Sequence, residues 1–357
     1  MTFSKRIDSL KQKIHLENLD GIYVTNLTNV RYLTGFTGSA GSLLITDDEQ
    51  HFFTDGRYIE QSSEEVKNCK IHIVGSMHIS AIKDQKLLKD NQKIGFESDF
   101  VNVNLYDSFI GLFPLVQWKK TSGIIEEISA IKDNLEIESL KTAVEITDVV
   151  FESILSELKI GATEKEISAK ISYLFKMNGA DGDSYESIIA SGYLGALPHA
   201  RPTNKVFEKG DFVVMDFGAL YNGYHADMTR TVVIGEASER HKEIYDIVLE
   251  SQLAGIKFAK AGVTGKELDQ VCRNVIDKAG YGDKFIHSTG HGIGLEVHTY
   301  PRISSFNTKP LLENYVVTIE PGIYLAGWGG VRIEDDCWIR KNDCLPLNRS
   351  TKEMLVL

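Results

Sequence analysis

The chain has 357 residues, 42% of them hydrophobic and 25% charged, with a formal net charge of −11. This is ordinary globular material, long enough for two or three domains or for one large domain with a smaller partner. The acidic balance and the lack of a long basic run argue against nucleic acid as a partner, and no apolar run approaches the ~18 residues of a membrane span.

The opening MTFSKRIDSLKQKI reads as an amphipathic helix without a signal-peptide core, so a cytoplasmic protein is expected. Cys69, Cys272, Cys337 and Cys344 make no C-x-x-C pair and read as reduced, packed thiols. Strand-like runs come next at residues 21–24, 42–45 and 51–53, separated by turn residues. Between the first two, Arg31 to Ser39 is glycine-rich but has neither the spacing nor the lysine of a P-loop, and an ordinary loop is expected there. Helix and strand alternation continues through Phe96, giving a small α/β domain over residues 1–130. Lys132-Asp133-Asn134 is a polar interruption before a long helical pattern in which Ile137, Leu140, Val144, Phe151 and Ile154 recur at core spacing. It opens a second domain, expected over residues 131–357.

That second domain contains an internal repeat. Gly161-Ala162-Thr163-Glu164-Lys165-Glu166 is echoed by Gly262-Val263-Thr264-Gly265-Lys266-Glu267, a shift of 101 residues that recurs at Gly179 and Gly280. Either two helix starts share N-cap chemistry at Thr163 and Thr264, or two similar α+β halves stand side by side with a cleft between them.

Within the first half, two apolar runs flank Tyr221-Asn222-Gly223-Tyr224, the signature of a hairpin closed by a two-residue turn. In that register Asp216 faces Thr229, and Asp216 and Asp227 lie diagonally on one face. Burying both aspartates calls for a cation; the alternative is a solvent-facing hairpin. In the second half, His291 stands between glycines in STGHGIG, either as a packed histidine or as a ligand. Glu320 and Glu334 sit on or beside apolar strands, and an odd-length loop between those strands sets both on a common face. Arg332 braces a carboxylate or forms a surface ion pair.

Four carboxylates brought together would repel by about 4 kcal/mol per pair at ~4 Å and an effective dielectric near 20, so the cluster needs cations or protons. Two divalent ions cancel four negative charges. Oxygen ligands with one imidazole suit Mn²⁺, Co²⁺ or Zn²⁺.

Asp216, Asp227, His291, Glu320 and Glu334, in the surroundings MDFGALYNGYHADMTRT, STGHGIGLEVH, TIEPGIY and GVRIEDD, resemble the catalytic half of the pita-bread metallopeptidases. That family includes methionine aminopeptidase, aminopeptidase P and prolidase. ASGYLGALPHARPT is similar to the proline-peptidase branch, and RYLTGFTGSAG with FTDGRY resembles the N-terminal domain of its aminopeptidase P-like members. The resemblance implies an α/β creatinase-like N-terminal domain, an α+β pita-bread catalytic domain with two-fold pseudosymmetry, a dimanganese-type centre and a homodimer. It implies that Asp216 binds one metal, that Asp227 and Glu334 bridge both, and that His291 and Glu320 complete the other shell. A metal-bridged hydroxide would attack the carbonyl before proline, with Glu320 moving protons. His199 and His298 match auxiliary histidines that contact substrate. Thr229 is expected to support Asp216 by a hydrogen bond; His287 either supports the centre or is packed.

Leu194 departs from the asparagine common in the branch, and Thr299 from a usual glutamate, which puts substrate positioning in question. The reading placed first is an Xaa-Pro aminopeptidase acting on proline-containing peptides. Behind it stand an Xaa-Pro dipeptidase, then a creatinase-type C–N hydrolase and a catalytically silent peptide-binding module.

Overall fold

A six-stranded mixed sheet organises the first of two units into which the chain divides, the residues up to Ser129. The structure, a computed structural model, describes residues 2–75 and 77–357. Strands lie in the order Lys70–Ile73, Gln50–Thr54, Ser42–Thr46, Gly21–Val24, Lys93–Glu97, Gln117–Thr121. Tyr23, Leu44, Phe53, Ile94 and Phe96 of the sheet bury against Ile79, Ile82 and Phe109 of the flanking helices. The loop expected from Arg31 starts later. Leu27–Thr34 is a helix, capped by Asn26 and ended by Gly35 at φ 88, and the loop occupies only the residues beyond it. Its buried Val30 and Leu33, three apart, supply the helical stripe that the glycines nearby obscured.

From Ala130 onward the second unit has two similar halves. Helices Asn134–Ile154 and Glu164–Met177 accompany the three-stranded sheet of Ile188–Ser191, Phe212–Phe217 and Met228–Val233. Helices Glu239–Phe258 and Gly265–Lys278 accompany a five-stranded sheet that includes Gly290–Gly292, Val316–Ile319 and Asp335–Ile339. The repeat is structural at its helix starts. Thr163 and Thr264 both form capping boxes, with Glu166 and Glu267 reaching back to them. Gly161 and Gly262 share φ 92, and Gly179 and Gly280 come after their helices at φ 90 and 86.

The hairpin has the expected register. Asn222 and Gly223 have φ 50 and 76, Tyr221 pairs with Tyr224, and the same register carries Thr229 opposite Asp216. Between the two short ladders, a Cβ on Gly218 would lie 1.7 Å from the Ala226 carbonyl oxygen, so only glycine lets the chains approach there. Both main strands are buried along their whole length, which excludes the solvent-facing hairpin. In the other half, Gly322–Leu325 pairs with Gly329–Arg332 across the three-residue loop Ala326-Gly327-Trp328. The pairings Gly322 with Arg332 and Ile319 with Asp335 bracket Glu320 and Glu334 in one register, opposite each other. The odd loop therefore sets both glutamates on a common face, at breaks between strands rather than inside them.

Candidate metal centre and active site

A cleft of about 420 Å³ in the second unit is lined by Asp216, Asp227, His291, Glu320 and Glu334, together with His199, His298 and Arg332. Every metal-binding, catalytic and supporting residue expected from sequence lines it except Thr229, which lies fully buried behind the carboxylates. Backbone geometry explains the placement. Asp216 projects from a central strand, Asp227 leads into its partner strand, and His291 is held on a short strand between two others. A Cβ on Gly290 would meet the Thr318 carbonyl at 2.0 Å, and one on Gly292 the Tyr300 carbonyl at 2.1 Å. The glycines beside His291 are thus required by close strand packing.

His291 turns Nδ1 to the Gly292 carbonyl at 3.1 Å, which assigns the proton to Nδ1 and leaves the Nε2 lone pair facing Asp227 Oδ2 at 3.6 Å and Glu320 Oε1 at 3.5 Å. Burial, then the adjacent His298, pushes its pKa down to about 3, so the ring is neutral at pH 7. Burial followed by like charge raises Asp227 and Glu334 well above the usual carboxylate range. Burial lifts Glu320 to about 7 despite the opposing Arg332 charge. One oxygen of buried Glu334, Oε1, has no hydrogen-bond partner among the described residues.

Asp227, His291 and Glu334 each offer a ligand atom within 4.8 Å of the others. A lone pair aimed at carboxylate oxygens, and a buried carboxylate oxygen without a donor, are unfavourable alone and become favourable around a cation. The donor set fits a divalent metal.

The supporting contacts differ from expectation in one respect. Thr229 Oγ1 stands opposite Asp216 but donates to Glu334 Oε2 at 2.6 Å, and accepts from Arg332 Nε at 2.9 Å. Asp216 is held by Arg332 and by Tyr185 instead. Arg332 is buried and braces a carboxylate, so the surface-pair alternative falls. His287 donates from Nδ1 to the Ser288 carbonyl and accepts at Nε2 from Tyr324, whose hydroxyl accepts in turn from Arg332. Leu194 packs on the cluster of Ile188, Ala190 and Ala200, and so backs a cleft wall through Ile188. Thr299 opens the strand that pairs with Gly292.

Three supporting residues escaped the sequence. The Tyr185 hydroxyl donates to both Asp216 and Asp227 from a loop with no motif. Asp336 accepts from the Asp227 amide at 2.9 Å. Thr318 accepts from the His291 amide and donates to Glu320 Oε1 at 3.3 Å. Only Thr318 carried a signal, as a polar residue two positions before Glu320 on an apolar strand.

Sequence models of two families match the chain: the creatinase/prolidase N-terminal domain over residues 6–131 and metallopeptidase family M24 over residues 138–341. The chain is 39% identical over 352 residues to a Xaa-Pro dipeptidase of Pyrococcus furiosus, covering 98% of this chain and 99% of that one. It is similar to a structure of a Xaa-Pro dipeptidase from Bacillus anthracis, with TM-score 0.97, 41% identity and full coverage of both chains. An X-Pro aminopeptidase structure from Thermotoga maritima matches with TM-score 0.89 and 39% identity, covering 98% of this chain and 99% of that one.

Proposed function

We propose, from the premise that this chain belongs to metallopeptidase family M24 and carries a creatinase/prolidase N-terminal domain, that it is an Xaa-Pro dipeptidase. The convergence of Asp227, His291 and Glu334 on one point, with Glu334 Oε1 lacking a donor, carries the metal-dependent part of the reading. The dipeptidase now stands ahead of the aminopeptidase placed first from sequence, because the Pyrococcus furiosus and Bacillus anthracis relatives are Xaa-Pro dipeptidases matched over essentially the whole chain.

In this reading two divalent ions, Mn²⁺ before Co²⁺ or Zn²⁺, are held by Asp216, Asp227, His291, Glu320 and Glu334. When bound they supply Lewis acidity, lowering the pKa of water and polarising the carbonyl before proline. Asp227 and Glu334 would hold the ions with their carboxylates, and His291 would contribute its Nε2 lone pair. Glu320 lines the cleft beside His291, and in this reading it takes a proton from water and passes it to the departing prolyl nitrogen. Burial lowers His298 below its ordinary value, so it is a neutral N–H donor toward developing oxyanion charge, with His199 beside it in the cleft. The domains assigned are residues 1–130 and 131–357, and the reading includes a cytoplasmic homodimer. Among the described residues no helix is long and apolar enough to cross a membrane.

Mn²⁺-loaded protein is assayed on Ala-Pro and on Ala-Pro-Ala, before and after chelation. Chelation is expected to abolish cleavage, and the dipeptide to be preferred by about tenfold or more in kcat/KM, equivalent to ~1.4 kcal/mol of transition-state discrimination. Tripeptide preference returns the aminopeptidase reading. Full turnover by metal-free protein overturns both.

A further inference from the structure

Arg230 is the largest fully buried side chain among the described residues, 1% exposed, and it lies one residue beyond Thr229 on the hairpin strand. An arginine has five N–H groups in a fixed fork, and here each has an acceptor. Nη1 donates to the Glu334 carbonyl at 2.6 Å and to the Thr229 carbonyl at 2.9 Å. Nη2 donates to Asp335 Oδ1 at 2.7 Å and to the Ser350 carbonyl at 3.0 Å, and Nε to the Thr351 carbonyl at 3.0 Å.

The fork ties three stretches of chain together at the backbone of Glu334. The Thr229 carbonyl also accepts from the Glu334 amide at 3.1 Å, so the peptide groups on both sides of Glu334 are gripped, while its carboxylate is held by Thr229 Oγ1. Asp335 anchors the other end. Its Oδ2 accepts from Gln252 at 2.9 Å and from Lys352 at 2.5 Å. Burial alone would raise the Asp335 carboxyl, but Arg230 and Lys352 outweigh it and hold it ionised below its ordinary value. A buried cation with every donor satisfied is retained at the cost of full desolvation, and here its contacts converge on one backbone position.

We infer that Arg230 is a positioning residue: it fixes the peptide of Glu334, and hence the direction of that carboxylate, against the segment Ser350–Thr351. The inference rests on the proposed reading that Glu334 holds metal. It assigns a role in metal affinity to a side chain that does not touch the cleft. Lysine at this position keeps the charge but has three donors on one nitrogen, and cannot reach acceptors spread around a planar fork.

The test is calorimetric titration of chelator-stripped protein with Mn²⁺, alongside thermal unfolding and Ala-Pro kinetics, for Arg230→Lys and Lys352→Met. Arg230→Lys is expected to weaken Mn²⁺ affinity by about 10–100-fold, as other residues supporting metal ligands do, and to lower kcat with little change in KM. Lys352→Met removes a neighbouring cation from Asp335 without touching Glu334. It is expected to lower the melting temperature but leave Mn²⁺ affinity within about twofold of wild type, well short of that 10–100-fold loss. If Arg230→Lys does not fold, Asp335→Asn loosens the guanidinium while keeping its shape, and a several-fold loss of affinity is expected. Unchanged Mn²⁺ affinity in the folded Arg230 variant, or in Asp335→Asn where that variant stands in for it, overturns the positioning role whatever the melting temperature. Wild-type protein that takes up no Mn²⁺ overturns the metallopeptidase reading as well, so the two failures are separable.

Discussion

Replacing Thr229 by valine keeps the β-branched shape and removes one hydroxyl, so it probes a single node between Glu334 and Arg332. Two buried hydrogen bonds are lost: Thr229 Oγ1 to Glu334 Oε2 at 2.6 Å and Arg332 Nε to Thr229 Oγ1 at 2.9 Å. Glu334 is already without a partner at Oε1, so the substitution deprives its carboxyl of its side-chain donor. A hydrogen bond to a charged group contributes about 1.5–3 kcal/mol, and a buried donor left unpaired costs about 1–3 kcal/mol. Allowing for relaxation around the site, a net loss of about 3 kcal/mol is expected. At roughly 2–4 °C per kcal/mol for a domain of this size, metal-free protein should melt about 6–12 °C lower. Mn²⁺ affinity should fall by about 10–100-fold, because the freed carboxylate no longer holds its direction. Differential scanning calorimetry with and without chelator, and Mn²⁺ titration, measure both. A melting point within ~2 °C of wild type together with unchanged affinity would refute the argument that this hydroxyl orients Glu334.

The charge balance of the site sets two further outcomes. In metal-free protein His291, lowered to about 3, binds fewer protons folded than unfolded below about 6.5, whereas Asp227, Glu320 and Glu334 have raised pKa values, Glu320 to about 7, and bind more across the window from about 4.5 to 7. The stabilisation from the three carboxyls is present below the unfolded value and is lost as pH rises through the folded one. Protons on these carboxyls must leave as metal binds, so Mn²⁺ should bind more tightly at pH 7.5 than at pH 5, and titration in two buffers of different ionisation enthalpy should show proton release. Heat of binding independent of buffer would contradict this. Tyr185→Phe removes the donor shared by Asp216 and Asp227. Its melting point should drop in chelator and recover most of the difference with Mn²⁺, since cations then balance the two aspartates; an equal deficit in both conditions would assign Tyr185 a packing role only.

Much of the site was legible because its signals are local. Asn222-Gly223 dictates a two-residue turn, and once the turn is known the strand period places Thr229 opposite Asp216 with no further information. Parity of the Ala326-Gly327-Trp328 loop likewise decides that Glu320 and Glu334 share a face. The helix-start repeat at Thr163 and Thr264 is written in capping chemistry that needs only four neighbouring residues. The tertiary structure decided the partner of each polar group. Thr229 could have supported Asp216 from across the ladder; instead it bonds Glu334, 105 residues away in sequence. Tyr185 reaches two aspartates from a loop without a motif, and Arg230, an ordinary polar position by strand alternation, is buried with five acceptors, four of them drawn from distant segments. Periodicity reports which face a side chain takes, but a hydrogen bond has a reach of about 3 Å and depends on how separate segments pack, which no local pattern encodes.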